Sequence, residues 1–501
     1  LPFHLGKSKV DLTFQILESE DQYEIELEYS TELFRDSSAE RMLEHYLRLL
    51  AGMENALELP LGRLLPLSDI QREQVIKRFN PLGVDSIPQT AAQRFFAEAT
   101  AHPDIIALRD GARQWSFGHL RDRVIGLAAR LKERGLGEGK FAVLLCRRSM
   151  EYILGVLAVL HCGGAFVPVD PEYPEERIQY ILRDSGAVLA LTHRENTALS
   201  VPTVSLTEAV AGASMPPAEA AAQSPAYMIY TSGTTGKPKG VIVPNRALAH
   251  YISYAGAHYR DPGEPLEVAL FSSISFDLTI TSTFLGLLFG GTTTVYSETA
   301  DRALARILRE NRTTFLKLTP AHLKMMEELP FEGASSLRHM VLGGEALPTS
   351  LAKAAQNRYG KQLVIHNEYG PTEATVGCCD YCYDENRDTV ATVSIGRPMD
   401  HARIYILRDD LLCPIGMPGE LCIAGEGVAL GYQNQKELTE KVFVPDPFGK
   451  GLMYRTGDLA RWQEDGRLEF LGRIDQQVKI RGYRIEPEEV SKVLSGLPGV
   501  E

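Results

Sequence analysis

Hydrophobic and polar positions change their period several times along this chain, and each change marks an element. The opening stretch alternates. "KVDLTFQILE" and "YEIELEYS" carry apolar residues at every second position around the polar turn "SEDQ", which predicts two strands. "SSAERMLEHYLRLLAGM" then sets Met42, Tyr46, Leu49 and Leu50 at helical spacing behind a polar start. Two strands and a helix bury too little apolar area to stand alone, so residues 1–66 read as the tail of a larger domain. "LGRLLPLSDIQREQVIKRFN" reads as a linker with a short helix, and the linker region extends over 67–90.

From about residue 91 helix and strand alternate. "RDRVIGLAARLKERGL" is an amphipathic helix with Gly135 at its end. "FAVLLC", "AFVPVD" and "AVLALTH" are buried strands, separated by the helical "MEYILGVLAVLHCG" and "IQYILRDSG". This order predicts an α/β architecture with largely parallel sheets. "AGASMPPAEAAAQSP" is a surface loop by composition, and the last hundred residues hold shorter strands with turn signals, a small β region.

Composition narrows the function classes. The 501 residues carry 52 Lys plus Arg against 65 Asp plus Glu, a formal charge of −13. That argues against a general nucleic-acid or anionic-membrane surface, while leaving room for a local anion site. No apolar run is long enough to span a membrane, and "LPFHLGKSKVDLTF" lacks the pattern of a signal peptide. Seven scattered cysteines suit a reducing cytoplasm. Cys379 and Cys382 in "GCCDYC" have C-x-x-C spacing, but no second ligand pair accompanies them in sequence, so they read with Cys378 as small thiols on a β segment.

The chemistry concentrates in "YTSGTTGKPKGV", residues 230–241. It is not the common P-loop, because Gly233 and Gly236 are too close together and Pro238 follows Lys237. A strand, "AYMIY", runs into Thr231, Ser232, Gly233, Thr234, Thr235 and Gly236. Glycines there permit close backbone approach, so amides and hydroxyls can face phosphate oxygens. Lys237 and Lys239 add charge-assisted contacts. Alone, the run favours phosphate binding only modestly over a flexible loop with solvated lysines.

Companion motifs change that balance. The run resembles the phosphate loop of the adenylate-forming superfamily. "FDLT" (276–279), "NEYGPTE" (367–373), "GELCIAGEGVALGY" (419–432), "YRTGDLARW" (454–462) and "GRIDQQVKIRGYRIEPEEV" (472–490) follow it in order, with "CGGAFVPVDPEYPEERI" upstream. Together these resemble the ordered motifs of non-ribosomal peptide synthetase adenylation domains, over about residues 91–501. The first 66 residues resemble, more weakly, the end of a condensation domain without its HHxxxDG motif. The resemblance implies an adenylate-forming (luciferase-like) fold: a large core of parallel-type sheets over 91–474, a small β region, and a hinge at Asp475 opening a truncated C-terminal subdomain over 475–501. The family's C-terminal catalytic lysine would lie beyond this chain, which is therefore expected to bind its ligands and adenylate slowly.

The same resemblance implies roles. A carboxylate would attack the α-phosphate of ATP, giving an aminoacyl adenylate and pyrophosphate. The 231–240 loop, Lys239 included, would hold the leaving phosphates. Thr372 would contact the α-phosphate and Glu373 would ligate Mg²⁺, an ion that needs few protein carboxylates. Tyr369 would stack on adenine beside Asn367, with Gly343, Gly344 and Glu345 lining the base. Asp458 would accept both ribose hydroxyls, and Arg473 would support the ribose or phosphate side. The product would pass to a phosphopantetheine thiol on a downstream carrier domain. Expected partners are the amino acid, ATP and the neighbouring condensation and carrier domains, with no nucleic acid and no membrane.

Asp277 in "FDLT" would pair with a substrate ammonium, which favours an α-amino acid over an aryl or fatty acid. By resemblance, the rest of the selecting pocket is Leu278, Thr281, Lys317, Val341, Gly343, Glu368, Val376 and Gly377, similar to the family's asparagine pattern. A side-chain amide offers an acceptor oxygen to Lys317 and a donor nitrogen to Glu368. Aspartate would set a second carboxylate against Glu368, and leucine would leave both charges unmatched. Glutamine is the nearest competitor, one methylene longer. Two other readings stay open: an acyl- or aryl-CoA ligase of the same superfamily, and a non-catalytic nucleotide-binding module.

Overall fold

The computed structural model describes residues 10–20, 22–55, 67–80, 89–193, 199–207, 220–233, 237–400, 402–475, 477–480, 483–485 and Pro487. The amino-terminal hairpin pairs Leu12–Glu18 with Tyr23–Tyr29 in antiparallel register, and the helix Asp36–Asn55 follows. Phe14, Ile16, Leu17 and Tyr23 are exposed on that hairpin, as expected of a unit too small to bury its own apolar residues. Residues 69–78 form a short α-helix continued by a π-turn, and this segment is docked rather than loose. Val75 is buried, the Asn80 amide donates to the carbonyl of Ile404 at 3.0 Å, and the Phe79 ring packs on Trp462.

Two large sheets build the core. One has seven strands, in the order Gly431–Tyr432, Lys239–Pro244, Pro225–Thr231, Ala165–Val169, Phe141–Leu145, Leu189–Thr192, Thr203–Ser205. The other has nine, in the order Arg397–Pro398, Cys379–Cys382, Val364–Tyr369, His339–Leu342, Phe315–Leu318, Glu267–Leu270, Thr292–Val295, Ile106–Asp110, Arg113–Ser116. Strands in the middle of each sheet are parallel, with antiparallel pairs at both ends of the nine-stranded sheet and at one end of the seven-stranded sheet. The helices Met150–His161 and Leu278–Leu288 are buried along their whole lengths, because they lie inside the molecule between layers. That explains why both read as apolar on every face.

The small β region is a six-stranded antiparallel sheet centred on Leu452–Trp462, which pairs with Gly419–Gly425, Phe443–Pro445 and Leu468–Arg473. Cys379 and Cys382 lie three residues apart on one strand and so point to opposite faces, which rules out a shared C-x-x-C site. Cys379 is buried, while Cys382 is exposed and faces His366 across the strand pair. No helix among the described residues is long and apolar enough to cross a membrane.

Candidate active site

The segment between the strand Glu267–Leu270 and the helix Leu278–Leu288 carries Asp277, and side chains from other layers hold its shape. The Arg148 guanidinium donates to the carbonyls of Ser272, Tyr296 and Glu298 at 2.8, 2.6 and 2.7 Å. The Thr279 hydroxyl donates to the Ser273 carbonyl at 2.6 Å, closing the turn on itself. Asp277 is only 6% exposed and accepts a hydrogen bond from the Thr372 hydroxyl at 2.6 Å.

Across the cavity, Lys317 on Phe315–Leu318 donates to Oε1 of Glu368 on Val364–Tyr369. Their side chains are 1% and 2% exposed, so neither is the solvated surface residue that the sequence alone would have allowed. Val341 lies on the strand between them, in register with Lys317. Glu368 Oε2 accepts from the phenols of Tyr251 at 3.0 Å and Tyr259 at 2.8 Å. The Tyr251 hydroxyl also meets that of Thr281 at 2.6 Å. Gly377 packs on the carboxylate so closely that a Cβ there would sit 2.5 Å from Glu368 Cδ. Beside it, Thr375 and Val376 hold φ of 60° and 67°. A β-branched residue rarely adopts that conformation, and such strain persists where surrounding bonds over-determine it. Here the Thr375 hydroxyl donates to the Gly427 carbonyl at 2.7 Å, and the amide of Cys378 to the Tyr369 carbonyl at 2.8 Å.

The other end of the cavity holds the start of the 231–240 loop. Thr231 and Ser232 line it, and Thr231 Oγ1 is buried without a partner among the described residues. Gly233 is tightly placed, since a Cβ there would meet the Lys237 carbonyl oxygen at 2.3 Å. Lys237 is exposed, and Thr234, Thr235 and Gly236 lie outside the described residues. Lys239 is buried: its ammonium donates to Glu373 Oε1 at 3.0 Å and to the Tyr432 hydroxyl at 3.0 Å, and Tyr432 donates to the same carboxylate oxygen at 2.7 Å. A second buried carboxylate, Asp458, accepts from the Tyr369 phenol on Oδ2 and from Arg473 on Oδ1 at 2.6 Å. Burial, reinforced by Asp458, pushes the Tyr369 phenol well above its ordinary pKa, so it stays a donor. Arg473 also pairs with the half-exposed Asp475 at 2.6 Å.

Part of this set converges on one cavity of about 330 Å³, whose lining includes neither Lys239 nor Glu373 nor Tyr432. Asp277, Leu278, Lys317, Gly343, Gly344, Glu368, Thr372, Val376, Asp458 and Arg473 line it. Thr281, Val341 and Gly377 lie behind that lining. Tyr369, Asn367 and Glu345 border a larger adjoining cleft of about 1420 Å³. The Asn367 amide is spent on the carbonyls of Val393 and Ser394 at 3.1 and 2.9 Å, and Glu345 accepts from the Ala321 amide at 3.3 Å. Tyr432, Tyr251, Tyr259 and Arg148 were assigned no role from sequence. Tyr432 closes the motif "GELCIAGEGVALGY" and was legible there; the others had no local signal.

The family model described as AMP-binding enzyme matches residues 95–433, and the chain belongs to that family. It is 39% identical over 478 residues to bacitracin synthase 3 of Bacillus licheniformis, covering 94% of this chain and 8% of the relative. It is 38% identical over 484 residues to tyrocidine synthase 3 of Brevibacillus parabrevis, covering 94% of this chain and 7% of the relative. The chain thus spans under a tenth of the length of these two curated relatives. Among solved structures it is similar to a four-domain nonribosomal peptide synthetase bound to AMP and glycine. The TM-score is 0.84 at 27% identity, over 100% of this chain and 38% of that one. The resemblance to adenylation domains and the adenylate-forming fold expected after about residue 91 therefore hold.

Proposed function

We propose that this chain selects an amino acid, asparagine in particular, and activates it with ATP to an aminoacyl adenylate for transfer to a carrier-domain phosphopantetheine thiol. The observation that carries the reading is the cavity itself. Buried Asp277 opens onto it at one side, the Lys317–Glu368 pair at another, and the start of the phosphate loop at a third. An α-amino acid has matching parts. Its ammonium meets Asp277, and its side-chain amide gives an oxygen to Lys317 and a nitrogen to Glu368. Its carboxylate is left pointing toward the phosphate side.

Attack of that carboxylate on the α-phosphate expels pyrophosphate, a step driven by positioning and by neutralising charge on phosphate oxygens. The Thr231 hydroxyl, without a partner among the described residues, is available to a leaving-phosphate oxygen, and the exposed Lys237 supplies charge there. Asp458, already oriented by Tyr369 and Arg473, keeps further lone pairs for ribose hydroxyls. The donor set fits Mg²⁺, which takes one protein carboxylate and completes its shell with phosphate oxygens and water. Glu373 would be that carboxylate, although its Oε1 already accepts from the Lys239 ammonium at 3.0 Å and the Tyr432 hydroxyl at 2.7 Å. When bound, the ion would supply further neutralisation of the phosphates.

The amino-terminal hairpin and helix are the end of a condensation domain in this reading, residues 67–90 are its linker, and Asp475 is the hinge. The seven free cysteines are in keeping with work in the cytoplasm. Binding of non-hydrolysable aminoacyl-adenylate mimics with Asn, Asp, Gln and Leu side chains tests the proposal. At a hundred times its dissociation constant a true ligand adds about 2.7 kcal/mol of stability. The Asn mimic is expected to give the largest thermal shift, and Asp277→Ala to abolish it. Equal shifts for all four would remove the asparagine assignment. No shift for any, in a folded sample, would remove the adenylate site.

A further inference from the structure

Two tyrosines behind the cavity bear on how Glu368 reads a side chain. A carboxylate has about four lone-pair directions. On Glu368, Oε2 accepts from Tyr251 and Tyr259, and Oε1 accepts from Lys317. That leaves one direction, on Oε1, for a donor arriving from the cavity. We propose that Tyr251 and Tyr259 are positioning residues for substrate selection: they hold the Glu368 carboxylate in the one rotation that presents a single acceptor beside the Lys317 ammonium. The inference deepens the reading above and rests on Glu368 meeting the amino-acid side chain.

Each phenol is itself held. The Tyr251 hydroxyl meets Thr281 at 2.6 Å, on the helix that begins just after Asp277. One hydroxyl therefore ties the ammonium-binding side of the cavity to the side-chain-reading side. The Tyr259 ring stands edge-on to His366 with centroids 4.8 Å apart and stacks on Phe315 at 6.4 Å. His366 in turn bonds Asp380 at 3.1 Å, so the ring rests on a buried ion pair. Gly377 closes the remaining side of the carboxylate, with no room for a Cβ. Burial, with Glu368 beside Tyr251 and with Asp380 and Glu368 near Tyr259, pushes both phenols well above their ordinary range, so both remain donors.

Neither tyrosine lines the cavity, so both act through Glu368. Without them the carboxylate is free to turn both oxygens onto Lys317. The pair then satisfies itself, and the acceptor aimed at the substrate is lost. Hydrogen bonds to a charged group are strong enough that losing one should shift binding roughly tenfold or more.

The test measures dissociation constants by calorimetry for the Asn, Gln, Asp and Leu adenylate mimics on the wild-type chain, Tyr251→Phe, Tyr259→Phe and the double variant. The expected result is a loss of roughly tenfold or more for the preferred polar mimic in each single variant. The Leu mimic should change little, so the ratio between polar and apolar mimics shrinks. A purely structural role would lower melting temperature while leaving that ratio intact, and this outcome in a folded double variant would overturn the inference. If the double variant does not fold, the single variants decide by the same ratio. A wild-type preference for another polar mimic would remove asparagine but leave the tyrosines to be judged on that mimic. Equal wild-type affinity for all four would remove both.

Discussion

At the side-chain end of the cavity, Lys317 and Glu368 are 1% and 2% exposed and already bonded to one another. At the phosphate end, Lys237 is exposed and the Thr231 hydroxyl is buried without a partner among the described residues. The contrast follows from what each end meets. A neutral side chain brings no charge, so the protein must neutralise its own buried groups and aim them beforehand. Phosphates would bring charge of their own, so Lys237 and the Thr231 hydroxyl can wait for the ligand, although Lys239 beside them is already paired with Glu373. In the proposed reading, selection is built into the packed core, while the phosphate side divides between the exposed Lys237 and the buried Lys239, which Glu373 already neutralises.

The largest effect should come from breaking the prepared pair. Lys317→Met or Glu368→Leu alone leaves one buried charge unmatched and should cost about 3–5 kcal/mol in denaturant unfolding. The double variant should recover part of that loss, because no orphaned charge remains, although the buried phenols of Tyr251 and Tyr259 lose their acceptor. A double variant as unstable as either single one would show that the pair is not the unit that matters.

His366 gives a pH-dependent version of the same test. Burial lowers its pKa, but Asp380 outweighs burial and raises it to about 10. Between about 6.5 and 10 the unfolded chain has released the proton that the folded chain keeps. Stability from this group is thus complete below about pH 6.5 and is lost as pH rises through about 10. The loss should be on the order of 5 kcal/mol, read from unfolding at several pH values. His366→Phe should flatten that slope. An unchanged slope would place the titration elsewhere.

The smallest effect on stability should come from the phosphate end. Lys237→Ala should change unfolding by less than about 0.5 kcal/mol, as expected at an exposed site. It should nonetheless weaken binding of ATP measured by calorimetry, with little change for the free amino acid. A matching loss for the amino acid would erase the distinction between the two ends.

What could be read from the chain depended on how local each signal was. The phosphate loop, "FDLT" and the alternating strands are contiguous, and period and motif expose them directly. The docking of residues 69–80 was not legible, because it depends on Asn80 meeting Ile404 more than three hundred positions away. Tyr251 and Tyr259 lie on and just beyond the helix Asn245–His258, where the pattern shows only a buried face. Their bonds to Glu368 span 117 and 109 positions.

The sequence by itself therefore determined the alternation of elements, the family to which they belong and the residue types that the chemistry needs. Those follow from short-range period, turn chemistry and ordered motifs. Tertiary structure alone decided which charges meet: Lys317 with Glu368, Lys239 with Glu373 and Tyr432, Asp458 with Tyr369 and Arg473. A buried charge takes its stability from the partner across the sheet or layer, and sheet register sets that partner rather than distance along the chain.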